Sequence, residues 1–252
     1  MFEKIITSFQ DYIDTVLEHD DKTLGYRGVS NKEHKLIPAI GRVCKEDQMR
    51  ALMSEQNMFL DFKKELVRFK RVTTDIECAI LAQHYGLPTR LLDWTYNPLV
   101  ALYFAINSKT KFDACIYLLS FNIDGTTERD VDYTSLFTDI SIIIDTDENN
   151  ISTTTYKEEN PKHYDISSRY YTLHPSSTTD RIVAQKSFFT LHHDPFSALE
   201  DEIHGKLIIP HDLKQDMDDA LDLFGVTAYT LFPDIGGLTT SLKQAYFSSI
   251  SE

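Results

Sequence analysis

Apolar residues recur at helical spacing from the first residues of the chain. Phe2, Ile5, Ile6, Phe9, Tyr12, Ile13, Val16 and Leu17 form one stripe opposite acids and lysine, which predicts an amphipathic helix over 2–18. The stretch DKTLGYRGVS that follows predicts a short strand ending in a turn. Helical period returns over 46–70 through Met49, Leu52, Met58, Phe62, Leu66 and Phe69. Thr74-Asp75-Ile76-Glu77 has the form of a capping box, opening a helix that should close at Gly86 ahead of Pro88. RLLDWT at 90–95 is a predicted strand, and Asn97 followed by Pro98 starts an apolar helix. Further strands are expected at 114–121, 181–191 (RIVAQKSFFTL) and 206–210, with helices at 212–225, closed by Gly225, and at 237–247.

Between these segments, 122–180 is polar and contains a single expected strand at 140–145. It is expected to be a variable insertion, an elaborated loop region inside the same domain. Helices come first and strands gather in the centre and towards the end, with few alternating βαβ units. The expected fold class is therefore α+β: one domain over 1–252, with a mixed or antiparallel central sheet and flanking helices.

Composition narrows the functional classes. The 252 residues are 42% hydrophobic and include 13 Tyr, 15 Phe and one Trp, enough to build a sizeable core. No apolar run approaches the roughly 20 residues of a membrane span, and residues 1–20 lack the basic start of a signal peptide. Cys44, Cys78 and Cys115 are widely spaced and predict reduced core residues of a cytoplasmic protein. The formal net charge is −14, so binding to a nucleic-acid backbone is disfavoured and a small anionic or nucleotide ligand would need a local basic site.

The densest polar cluster is AQHYGLPTRLLDWT at 82–95. His84, near neutral pKa, could move a proton, and the C-terminus of its helix should favour the charged form; it could equally bond a carbonyl and close that helix. Arg90 and Asp93, three apart on a strand, face opposite ways, so each needs another partner, Asp93 with Arg27 for example. Asp93 is expected to be buried and paired. Trp94 either stacks a flat ligand ring or fills the core. Arg27 offers a planar fork suited to phosphate or carboxylate, with Gly28 letting a ligand approach the backbone, or it fixes a turn by pairing with an acid. Gln185, placed mid-strand, either lines the same cleft or is solvated at an edge. Arg27, His84, Arg90, Asp93 and Gln185 are expected to border one concavity, because isolated buried polar groups cost roughly 1–3 kcal/mol each. No nucleotide-loop or metalloprotease motif is present. His192-His193-Asp194 is not expected to share a metal, since adjacent strand side chains diverge.

Tyr26-Arg27-Gly28, the QHYGLPTRLLDWT block with its NPLVALYFA helix, R-I-x-x-Q-x-x-F-F at 181–189 and G-V-x-x-x-x-L-F-P-D-I-x-G-L at 225–238 resemble the FRG domain family, named for an F/Y-R-G tripeptide. The blocks extend from about 22 to 245. The order of elements is also similar to ADP-ribosyltransferase folds. That resemblance implies NAD as a substrate, used for ADP-ribosyl transfer or NAD glycohydrolysis. His84, Asp93 and Gln185 would then be catalytic, and Tyr26, Arg27, Gly28, Gln83, Thr89, Arg90 and Trp94 would bind the ligand. A glutamine at the late position cannot supply the carboxylate such folds use, so Asp93 would have to replace it. The alternative is a non-catalytic ligand-binding or interaction module using the same cleft.

Overall fold

A computed structural model of the chain describes residues 1–43, 46–70, 74–108, 111–120, 170–175 and 179–247. The strand expected at 140–145, most of the polar stretch around it and Cys44 lie outside the described residues. The fold is α+β. Among the described residues seven strands form one mixed sheet: β1 (Phe2–Ile5), β2 (Thr23–Val29), β3 (Leu91–Thr95), β4 (Ala114–Ser120), β5 (Tyr170–Leu173), β6 (Ser187–His192) and β7 (Ile203–Ile209). Their spatial order is β1-β7-β4-β2-β3-β6-β5. Only β1 with β7 is parallel; all other neighbours are antiparallel.

The helices are α1 (Phe9–His19), α2 (Ala39–Val43), α3 (Gln48–Leu66), α4 (Asp75–His84), α5 (Pro98–Ile106), α6 (Asp180–Ala184), α7 (Lys214–Leu223), α8 (Ala228–Leu231) and α9 (Ile235–Phe247). Capping chemistry sets several starts as the sequence indicates. Thr74 accepts from the Glu77 N–H at 3.1 Å, and the Asn97 side chain accepts from the Leu99 N–H at 3.0 Å with Pro98 in the first turn. Gly86 and Gly225 have φ of +91° and +73°, the left-handed conformation that ends a helix most cheaply at glycine.

Two expected elements are corrected. The helix expected over 2–18 divides into β1 and α1, because Ser8 accepts from the Asp11 N–H and starts the helix late. Upstream of that cap, parallel pairing with β7 overrides local helical periodicity; the Phe2 ring lies where a side chain at Gly205 would be, a Cβ there falling 2.2 Å from it. The strand expected over 181–191 is a short helix followed by a strand. Thr179 accepts from the Ile182 N–H and opens α6, and the chain turns through Lys186, whose φ is +47°, before β6 begins.

The apolar helix α5 explains its own sequence. It lies on one face of the sheet against Tyr26, Ile116, Leu118 and Leu207, and its residues Val100, Ala101, Leu102 and Ala105 are buried there. The opposite face carries Leu92, Trp94, Cys115 and Phe188. A further cluster joins α3 and α4 to β3 and β6 through Phe59, Leu81, Leu91 and Leu191. Cys78 and Cys115 are free and buried. Among the described residues no helix is long and apolar enough to cross a membrane.

One discontinuity in the sheet positions everything that follows. β2 pairs with β4 out to Val29, and β3 pairs with β6 from Leu91 to Thr95. Between themselves β2 and β3 share a single pair, Tyr26 with Thr95. Past that pair the two central strands part.

Candidate functional site

Where the strands part there is a concavity of about 440 Å³. Arg27 and Gly28 of β2 border it on one side, and Asp93 of β3 with Gln83 and His84 of α4 on the other. The three residues of Tyr26-Arg27-Gly28 have three different roles. Tyr26 belongs to the core under α5 and its hydroxyl donates to Asp20 Oδ1 at 3.4 Å. Arg27 spans the gap: its Nη1 donates to the Asp93 carbonyl at 2.6 Å and reaches the Asp93 carboxylate at 3.4 Å. A guanidinium thus bonds a β3 carbonyl that the absent ladder with β2 leaves open. Gly28 is required for packing, since a Cβ there would fall 1.9 Å from the carbonyl oxygen of Ala101, and it also borders the concavity.

Asp93 is paired, as expected, but its side chain is 56% exposed and so is not buried. Alternation along β3 puts Leu92 and Trp94 on one face; Asp93 shares the other with the buried Leu91 and Thr95 and is the one exposed position of the strand. Its other oxygen accepts from Gln83 Nε2 at 2.6 Å. The Thr89 hydroxyl donates to Gln83 Oε1 and itself accepts from the Leu91 N–H at 3.2 Å. With its oxygen taken by Thr89, the Gln83 amide can only turn its NH₂ towards the carboxylate. Thr89, expected to hold ligand, is buried away from the concavity and orients Gln83 instead.

Arg90 is the largest correction. Its side chain is 2% exposed and meets Glu55 of α3, itself 1% exposed, with Nη2 to Oε2 at 2.6 Å and Nε to both oxygens at 3.1 Å. The backbone N–H of Arg90 also donates to Glu55 Oε1 at 3.1 Å. It does not border the concavity. Glu55 was not expected to take part, yet it falls on the same face of α3 as Leu52, Phe59, Phe62 and Leu66, and an acid on an apolar stripe is a signal of burial.

Trp94 touches the concavity but is core. It is 2% exposed, lies parallel to Phe188, and donates through Nε1 to Thr190 Oγ1 at 3.0 Å. Thr190 then meets His192 Nε2 at 3.0 Å, and burial pushes the His192 pKa from 6.5 down to about 3. The His84 pKa is also lowered, first by burial and then by the Arg181 guanidinium, so the helix C-terminus does not prevail and the imidazole is neutral at pH 7. Gln185 borders the concavity from the C-terminus of α6, not from mid-strand. Its Nε2 donates to the Leu231 carbonyl at 3.0 Å and its own carbonyl accepts from Thr95 Oγ1 at 2.6 Å.

Two further guanidinium groups border the same space: Arg42 of α2 and Arg181 of α6. Arg181 is half-buried and sits 4.5 Å from the centre of the Phe232 ring, while Arg42 is solvent-exposed; partial desolvation by the surrounding protein lowers the pKa of both. Nothing in the spacing around AIGRV marked Arg42; Arg181 was visible only as a base near Gln185. Among the described residues no group of three or more His, Cys, Asp or Glu could hold a metal ion.

Residues 22–114 match the family model of the FRG domain. The likeness to the FRG domain is confined to that segment. The FRG match includes Arg27, Arg42, Gln83, His84 and Asp93, so most of the concavity's polar border lies within it. The blocks at 181–189 and 225–238, in which the resemblance was expected to continue, lie beyond it, as do Arg181 and Gln185. No curated protein and no solved structure gives a significant match.

Proposed function

We propose that the split between β2 and β3 is a binding cleft for a nucleotide or another small anionic molecule. The observation that carries this reading is the bridge across the split. Arg27 uses one nitrogen on Asp93 and retains donors for a ligand, while Gln83, fixed by Thr89, holds the Asp93 carboxylate at a solvent-reached edge. The wall on either side is rigid, because β2 and β3 are each paired along their outer edges. Neutral His84 adds a group that can accept a proton or donate a hydrogen bond.

A catalytic reading, ADP-ribosyl transfer or NAD glycohydrolysis, is favoured by one observation. Asp93 is an accessible carboxylate held by two donors, the type of group that polarises a ribose hydroxyl. Gln185 does not supply that charge. Titration of the purified protein with NAD by calorimetry, with nicotinamide release followed in parallel, separates the readings. Saturable binding with release supports catalysis, and saturable binding alone supports a non-catalytic module. Silence towards NAD and ADP together would remove the nucleotide reading.

A further inference from the structure

Gln185 borders the concavity, is 8% exposed, and has one acceptor that nothing in the protein fills. Its backbone N–H donates to the Arg181 carbonyl at 3.0 Å, and its backbone carbonyl accepts from Thr95 Oγ1 at 2.6 Å. Its side-chain Nε2 donates to the Leu231 carbonyl at 3.0 Å. That last bond fixes the amide, because a carbonyl cannot donate and the reversed amide would set oxygen against oxygen. Oε1 therefore points away from Leu231, and among the described residues no donor reaches it. The Thr95 hydroxyl cannot serve, since its single hydrogen is on the Gln185 backbone carbonyl. A buried acceptor without a donor is unfavourable, and one in the wall of a cleft is met by the molecule that fills it.

The place of Gln185 in the cleft says where on a ligand that donor lies. Thr95, which holds the Gln185 carbonyl, is also the residue through which β3 pairs with Tyr26 of β2. Gln185 thus stands at the end of the split where the two strands are still joined. Asp93, where Arg27 crosses the split, is two residues further along β3, roughly 7 Å away at the rise of an extended strand. Buried Ile182 and Phe189 and half-buried Phe104 border the same concavity. One acceptor among apolar side chains suits a donor carried on a flat ring, with the anionic part of the same molecule lying towards Arg27.

We propose that Gln185 is the specificity-determining residue of the cleft: its Oε1 accepts a hydrogen bond from an exocyclic amine or carboxamide N–H on a heteroaromatic ring of the ligand. This inference rests on the cleft reading above and names the group recognised. An adenine amine and a pyridine carboxamide offer the same N–H, and the test tells them apart.

The test is calorimetric titration of the full chain with two pairs of compounds. Replacing ADP by purine riboside 5′-diphosphate removes the adenine amine. Replacing NAD by 3-acetylpyridine adenine dinucleotide exchanges the carboxamide NH₂ for a methyl group. In at least one pair the compound with the N–H is expected to bind about tenfold more tightly, the scale of leaving one buried acceptor without its donor. The pair that shows the difference identifies the source of the N–H. Gln185→Met, similar in length and without the amide, should bind both members of that pair alike; if it fails to fold, the comparison on the unaltered chain decides. Equal affinities within every pair that binds, or a difference that persists in Gln185→Met, overturn the inference and leave the cleft reading in place. Absence of binding by all four compounds overturns both.

Discussion

Glu55→Ala should be among the most damaging single substitutions in the chain, although Glu55 lies outside the candidate cleft. The carboxylate is 1% exposed and receives both Nε and Nη2 of Arg90 as well as the Arg90 backbone N–H. Truncation takes the carboxylate from a guanidinium that is itself 2% exposed, which keeps a bond of 3.4 Å to the His193 carbonyl, and removes the Glu55 acceptor of the Arg90 amide. Removing one partner of a buried ion pair typically costs about 3–5 kcal/mol, against a total stability of about 5–15 kcal/mol for a domain. A change of that size would be read by urea unfolding, with the slope checked for constancy. Trp94 is the only tryptophan and is buried in β3, which starts next to Arg90, so its fluorescence reports on the affected strand. The pair itself need not be favourable relative to apolar residues, since both ions lose their water. The double variant Glu55→Leu/Arg90→Met is therefore expected to recover most of the loss and show a coupling energy of about 2 kcal/mol or more. A Glu55→Ala cost under about 1 kcal/mol, or a double variant no better than the sum of the singles, would refute this account of the pair.

Gly28→Ala should destabilise the protein by about 2 kcal/mol or more, measured in the same unfolding assay, because a Cβ at 1.9 Å from the Ala101 carbonyl must push α5 off β2. Asp93→Asn should cost under about 1 kcal/mol, since the side chain is largely exposed and Arg27 keeps its bond to the backbone carbonyl; a larger loss would show the carboxylate to be structural. Stability should fall as pH drops below 6.5. The folded state holds the His192 pKa near 3 while the unfolded chain takes up the proton near 6.5, so the neutral-imidazole contribution is complete above that value and declines below it at up to about 1.4 kcal/mol per pH unit. His192→Gln should flatten that part of the profile, and an unchanged slope would assign acid sensitivity elsewhere.

Local signals served best where a side chain speaks to its own backbone. The Thr74 and Asn97 caps and the left-handed Gly86 and Gly225 placed helix ends correctly. Failures came where distant chain decides. Residues 2–5 have helical spacing but pair with residues 205–208, roughly two hundred positions away, and no local pattern encodes that. In the cleft, Arg27, His84, Asp93 and Gln185 share one concavity as expected, whereas Arg90 does not, because the acid that captures it lies on α3. Arg42 and Arg181 reach the same concavity from separate helices, and only the path of the chain brings them there.

The strand order also says what the family segment lacks. Residues 22–114 contain β2 and β3 whole and only the first residue of β4. Those two strands hold each other through a single pair, while their long partnerships are with β4 and β6, both supplied from outside the segment. The portion that carries the family signature is thus the two lips of an opening rather than a closed body. Its shape is borrowed from chain on either side: β7, from late in the sequence, is wedged between β1 and β4, and β6 braces β3. Excised at its matched boundaries, the segment would have two unpaired strand edges and no cleft between them.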